Sequence, residues 1–302
     1  MISRIGYSLY YSLSWIIWAL PLHAAYAISD TFYFFMYLVV GYRKKVVRQN
    51  LTTSFPEKSL QEIKQIERKF YHHLCDLFIE SMQLLHMRAD EAKKRFRYTN
   101  PEVYQRLYAE NKNAIVVLGH YGNWEVNVTF PLWSKFQTLA TYKPLNDKHF
   151  NKKMQEGRER FGIEAVPMKQ TIKRMLECAK NGKPTALALI ADQAPTQSET
   201  DFWVNFLNHE TGVFLGPEKI SKKINAPVLF LRVDKPKRGY YTLTTTVICE
   251  NPKETKPGEI TKAHVSMLEQ IIKEQPEYWL WSHRRWKRSR PSQTALHSLK
   301  HE

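Results

Sequence analysis

Acidic residues are scarce in this chain of 302 residues: Asp and Glu number 29 against 45 Lys and Arg, a formal charge of +16. That excess calls for an anionic partner, and nucleic acid, an anionic membrane surface and an acidic protein all qualify. Cysteine is scarcer still. Cys75, Cys178 and Cys249 lie far apart with no paired C-x-x-C spacing, which excludes a disulfide framework and a zinc site and places the body of the chain in a reducing compartment. No clustered ligand set points to a metal, and there are no internal repeats or low-complexity stretches. A hydrophobic share of 43% and an aromatic share of 13% exclude a disordered protein and supply a large core.

Charge is absent altogether from residues 5–29, and after Asp30 a second uncharged stretch covers residues 31–42. About twenty apolar residues suffice for a helix to span a bilayer. This stretch is diluted by Ser8, Ser12 and Ser14, interrupted at Pro21 and crowded with Tyr and Trp, side chains that favour the membrane interface. The expectation is one tilted or partial span followed by an interfacial helix, giving a membrane-anchoring segment over residues 1–42 and a catalytic domain over 43–302. A cleaved signal peptide is the rival, since Arg4 precedes the apolar run and Ala25-Tyr26-Ala27 resembles a cleavage site; apolar sequence continuing well past it argues against that. Arg43, Lys44, Lys45 and Arg48 follow the segment and favour a cytoplasmic location for the body.

Apolar spacing of three and four residues predicts helices over 57–73 and 74–85, and further helices over 148–161, 171–181, 216–225 and 264–274. Short β-branched or apolar runs at 113–119, 185–191 and 227–233, with a β-prone run at 240–248, predict strands. Strands alternating with helices imply an α/β fold with a mostly parallel central sheet flanked by helices.

The sharpest local feature is His120-Tyr121-Gly122-Asn123-Trp124-Glu125. His120 follows a predicted strand directly, at the carboxyl end where open α/β sheets bind ligands. With a helix starting near Asn123, Glu125 falls in its first turn and faces back toward the loop. Such a carboxylate can hold one imidazole N–H and leave the other nitrogen to take a proton from a hydroxyl, which then attacks an acyl carbonyl. Backbone N–H groups of the turn, or a nearby cation, would stabilise the oxyanion. The spacing alone is equally that of a turn histidine followed by a glutamate at a helix start.

This string and four others in the same order resemble the late acyltransferases of lipid A biosynthesis. The others are residues 41–57 (GYRKKVVRQNL, then SFPE), 158–162 (RERFG), 191–194 (ADQA) and 279–287 (WLWSHRRWK). The resemblance spans nearly the whole chain. It implies a glycerolipid-acyltransferase-like fold, an acyl donor carried on acyl carrier protein, no further cofactor, and a lipid A precursor as acceptor at the cytoplasmic face of the inner membrane. It makes His120 the general base, Glu125 its partner in an HX4E motif, and Asn123, Arg158 and Asp192 substrate-binding residues; the planar Arg158 guanidinium suits a phosphate or an oxyanion. Related glycerol-phosphate acyltransferases carry aspartate where this chain has Glu125, and their acidic Gly-Thr-Arg signature is missing here. A phospholipid, or a glycolipid such as a phosphatidylinositol mannoside, is the alternative acceptor. The block from Trp279 to Lys287 sets aromatics beside cations, as a phosphorylated headgroup at an interface requires, and equally as a packed tryptophan cluster with a basic surface would. A basic nucleic-acid-binding protein, or an inert membrane scaffold, has no motif in its favour.

Overall fold

A computed structural model describes residues 2–142, 147–196, 200 and 202–299. Its centre is a seven-stranded sheet built around β2 (Ala114–Leu118), whose five residues are all buried. In chain order the other strands are β1 (Phe96–Tyr98), β3 (Gln137–Tyr142), β4 (Ile163–Pro167), β5 (Thr185–Ile190), β8 (Val228–Lys237) and β9 (Tyr240–Cys249), in the spatial order β1-β9-β8-β2-β5-β3-β4. Every neighbouring pair is parallel except the β8–β9 hairpin. A second sheet of three short strands joins β6 (Phe202–Phe206) and β7 (His209–Val213), an antiparallel pair, to β10 (Leu296–His297).

The alternation of side chains along a strand explains why β2 reads as an unbroken apolar run. Ala114, Val116 and Leu118 enter one core together with Leu229, Leu231 and Val233 of β8. Ile115 and Val117 point the other way, into a core shared with Leu187 and Leu189 of β5. Both faces are thus covered, and β2 lies in the middle of the molecule.

The mostly parallel α/β architecture expected from the sequence is present. The two helices expected over 57–85 are one, α4 (Leu60–Leu84), because no Gly or Pro interrupts residues 60–84. Ser59 and Glu62 start it with a reciprocal capping box. Strands β3 and β4 and the whole second sheet extend the expected strands.

The N-terminal residues fold onto α4. No single helix among the described residues is long and apolar enough to cross a bilayer; a pair bent by 91°, Leu22–Val40 with Lys44–Ser54, passes on length and composition alone. Helix α1 (Ile2–Ala19), α2 (Leu22–Tyr33) and the π-helical Phe34–Val40 instead carry polar groups that bind α4 and the residues just after it. Ser14 Oγ lies 2.7 Å from His86 Nε2, Tyr26 donates to Glu80 at 2.7 Å, Ser29 to Asp76 at 2.8 Å and Tyr37 to Glu67 at 2.9 Å. Of the diluting serines Ser14 is turned toward the protein, as are Tyr26, Ser29 and Tyr37, while Ser8 and Ser12 are exposed.

Candidate active site

Strand register assembles the site. Leu118, the last residue of β2, pairs with Ile190, the last of β5, and the two strands run parallel. Two residues further along each chain stand His120 and Asp192, side by side at the carboxyl edge of the sheet. His120 Nδ1 is 2.6 Å from Asp192 Oδ1, and the His120 backbone N–H donates to Asp192 Oδ2 at 2.8 Å. Trp279 Nε1 donates to the same Oδ2, also at 2.8 Å.

The electrostatics follow from these contacts. Asp192 is buried, which alone would raise its pKa; the His120 charge and the hydrogen bonds from His120 and Trp279 outweigh burial and hold the carboxyl at about 2. Asp192 is accordingly ionised at neutral pH and accepts the Nδ1 proton, leaving Nε2 of neutral His120 as an acceptor. Burial likewise works against a charged His120, but Asp192 first and Glu125 second raise its pKa above the ordinary imidazole value. The exposed Gln193 side-chain amide lies 3.2 Å from Nε2 and marks where an incoming hydroxyl would meet the base.

The turn itself is rigid. Gly122 has φ of +60°, and a Cβ there would meet the Val233 carbonyl oxygen at 2.4 Å, so only glycine fits. Its N–H donates to Tyr278 O at 3.0 Å, its carbonyl lies 3.1 Å from His73 Nε2, and Leu280 N donates to His120 O at 3.1 Å. The N–H groups of His120 and Gly122 are thus already engaged by Asp192 and Tyr278.

The orienting hydrogen bond expected from Glu125 is made by Asp192. The segment after Asn123 is a 3-10 helix, Trp124–Leu132, rather than the first turn of an α-helix. Glu125, half-buried in it, accepts from Trp124 Nε1 at 3.2 Å, and the Trp124 ring meets His120 edge-on with centroids 5.0 Å apart. Glu125 therefore acts on His120 through its charge. Asn123, expected to touch substrate, is 1% exposed and turns its amide onto Glu80 of α4 at 2.7 Å. Arg158 ends helix α7 (Lys148–Glu159), half-buried, with no hydrogen bond or ion pair to the described residues. Trp279 and Gln193 complete the contacts of this pair, and no spacing in the sequence links either to His120.

Behind Asp192 lies a small cavity lined by Leu118, Phe230, His264, Leu268 and Arg285, with room for about one water. It is no acyl pocket. Nor do the described residues hold any group of three or more His, Cys, Asp or Glu placed to bind a metal.

A histidine aligned by a carboxylate at the carboxyl edge of a parallel sheet is an arrangement able to act as a general base. The sequence pattern of the family described as "Bacterial lipid A biosynthesis acyltransferase" matches residues 1–288, and the chain belongs to that family. It is 22% identical over 261 residues to the lipid A biosynthesis palmitoleoyltransferase of Escherichia coli (strain K12), covering 84% of this chain and 82% of that protein. A lipid A biosynthesis acyltransferase of Shigella flexneri matches with the same identity and coverage. The protein is an acyltransferase.

Proposed function

We propose that the protein transfers a fatty acyl chain from acyl carrier protein to a hydroxyl of a lipid A precursor at the cytoplasmic face of the inner membrane. The observation that carries this reading is the 2.6 Å contact between His120 and Asp192 at the carboxyl ends of β2 and β5. His120 Nε2 takes the acceptor hydroxyl's proton as its oxygen forms a bond to the thioester carbonyl carbon. The tetrahedral intermediate then expels the thiolate, which recovers a proton from the imidazolium. Ion-paired Asp192 stabilises that imidazolium, and the Glu125 charge adds to it from the other side of Trp124. Arg158, without a hydrogen bond or ion pair among the described residues, is the cation assigned to the oxyanion or to a phosphate of the acceptor. No metal or cofactor enters these steps.

Mass spectrometry of lipid A from cells with and without the gene tests the reaction. A difference of one acyl chain supports it; an unchanged profile with an altered phospholipid or glycolipid fraction moves the acceptor there.

Two features fit the proposed partners. Acyl carrier protein is an acidic donor, and a charge of +16 favours it. Raising salt through the physiological range is expected to raise KM for the carrier-bound donor with little effect on kcat, measured by steady-state kinetics; a salt-independent KM removes the electrostatic docking. The faces of α1 and the π-helix turned away from α4 expose Leu9, Leu13, Ile16, Phe34, Phe35 and Leu38, and exposed Arg43 and Lys45 follow. That pattern supports helices lying in an anionic interface rather than a span. Phe34→Ser with Phe35→Ser is expected to reduce co-sedimentation with phosphatidylglycerol-containing vesicles several-fold, since each ring buries apolar area on docking. Wild-type partitioning by the double variant would place the contact elsewhere.

A further inference from the structure

The turn that carries His120 is also braced from outside the sheet. Glu80 projects from α4 and is 2% exposed. Its carboxylate receives three hydrogen bonds, each 2.7 Å long: Tyr26 Oη from α2, Tyr241 Oη from β9 and Asn123 Nδ2 from the turn. The contact with Glu80 is the one hydrogen bond the Asn123 side chain makes among the described residues, and its Oδ1 is buried without a partner. Asn123 thus has a single polar handle, three residues from the base. Burial comes first among the influences that push both tyrosine pKa values far up, so the hydroxyls stay protonated as donors.

We infer that Glu80 is a positioning residue for the acyl-transfer reaction, a buried carboxylate that fixes the His120–Asn123 turn through Asn123 and ties its placement to the seating of α2 through Tyr26. The inference rests on the acyltransferase reading of His120. Its physical basis is that one acceptor serves three elements at once. The turn is held between Asp192 on the sheet side and Glu80 on the helix side, and Tyr26 of the N-terminal helices shares the Glu80 end. A donor lost from Glu80 loosens the others' common anchor, and a shift of the turn by an ångström costs about 100-fold in rate without changing what the site binds.

Three variants of the full-length protein test this: Asn123→Ala, Glu80→Gln and Tyr26→Phe. Glutamine keeps the shape of Glu80 but turns an NH2 toward at least one of three donors. Expected is a fall in kcat of about 10- to 100-fold for Asn123→Ala and Glu80→Gln, with KM for the carrier-bound donor nearly unchanged, and a smaller fall of the same kind for Tyr26→Phe. A second reading needs no substrate. The imidazole resonances of His120, followed by NMR against pH, titrate lower in Asn123→Ala than in wild type as the contact with Asp192 slackens. The groups acting on that ring are Asp192, Glu125, Gln193 and His283, and none of them is altered. If Glu80→Gln fails to fold, Asn123→Ala and Tyr26→Phe carry the test. Wild-type kcat and an unmoved His120 titration in folded Asn123→Ala overturn the inference, and so does a change confined to KM. Absence of acyl transfer in the wild-type protein would instead overturn the functional reading, and the titration would still report whether the brace exists.

Discussion

His120→Ala is expected to lower kcat for acyl transfer by about 10³-fold or more, a loss of roughly 4 kcal/mol of transition-state stabilisation. The substitution removes the imidazole that is held by Asp192 on Nδ1 and presents Nε2 toward Gln193, where the proposed hydroxyl would enter. KM for the donor should change little, because Nε2 acts on the acceptor proton rather than on donor binding. The fold should survive. Asp192 keeps two of its three donors, the residue-120 backbone N–H and Trp279 Nε1, so no wholly unpaired carboxylate is left buried. Steady-state assays with carrier-bound donor, alongside a thermal melt and lipid A mass spectra from complemented cells, check all of this. A folded variant that still acylates at the wild-type rate places the base elsewhere.

The sequence carried more of the fold than of the site. Strands β2, β5, β8 and β9 announced themselves because each is a β-branched or apolar run bounded by turn residues, and the central ones are buried on both faces. Strands β3 and β4 did not, since QTLATY and IEAVP alternate too weakly to stand out from loops. Polar residues within the N-terminal apolar run looked like flaws in a span. Three of them, Tyr26, Ser29 and Tyr37, are where the run fastens to α4, and only the partner helix reveals that each faces a carboxylate.

At the site, His120 and Asp192 were both legible as residues just beyond strand ends, but their partnership was not. Sequence proximity favoured Glu125, five positions away, over Asp192, seventy-two positions away. The missing information was register. Once β2 and β5 are known to be parallel neighbours with Leu118 opposite Ile190, an equal offset of two residues brings the histidine and the aspartate together. Glu80 was beyond reach for a similar reason: a glutamate in an amphipathic helix gives no sign that three hydroxyl and amide donors converge on it.

Asp192→Asn separates the two carboxylates by role. In the wild type Oδ2 receives two donors, His120 N–H and Trp279 Nε1–H, while Oδ1 receives one from Nδ1. An asparagine satisfies the larger number by placing its oxygen at the Oδ2 position, which turns its NH2 toward Nδ1. The imidazole must then accept at Nδ1 and carry its proton on Nε2, the wrong tautomer for a base facing the substrate. A fall in kcat of roughly 10²- to 10⁴-fold follows, as for other histidines whose orienting aspartate is replaced by asparagine. The pH profile supplies the sign. The base must be neutral, so wild-type kcat/KM rises with pH through the His120 pKa, which lies above the ordinary imidazole value chiefly because Asp192 outweighs burial. In Asp192→Asn burial still lowers that pKa and the main opposing charge is gone, so the acid limb moves to lower pH even as the plateau drops. Glu125→Gln removes only the lesser charge and is expected to shift the limb in the same direction by less, with a smaller loss of kcat. If Glu125→Gln shows the larger loss and Asp192→Asn leaves the limb in place, the orienting carboxylate is Glu125 and the resting hydrogen bond to Asp192 is not the catalytic one.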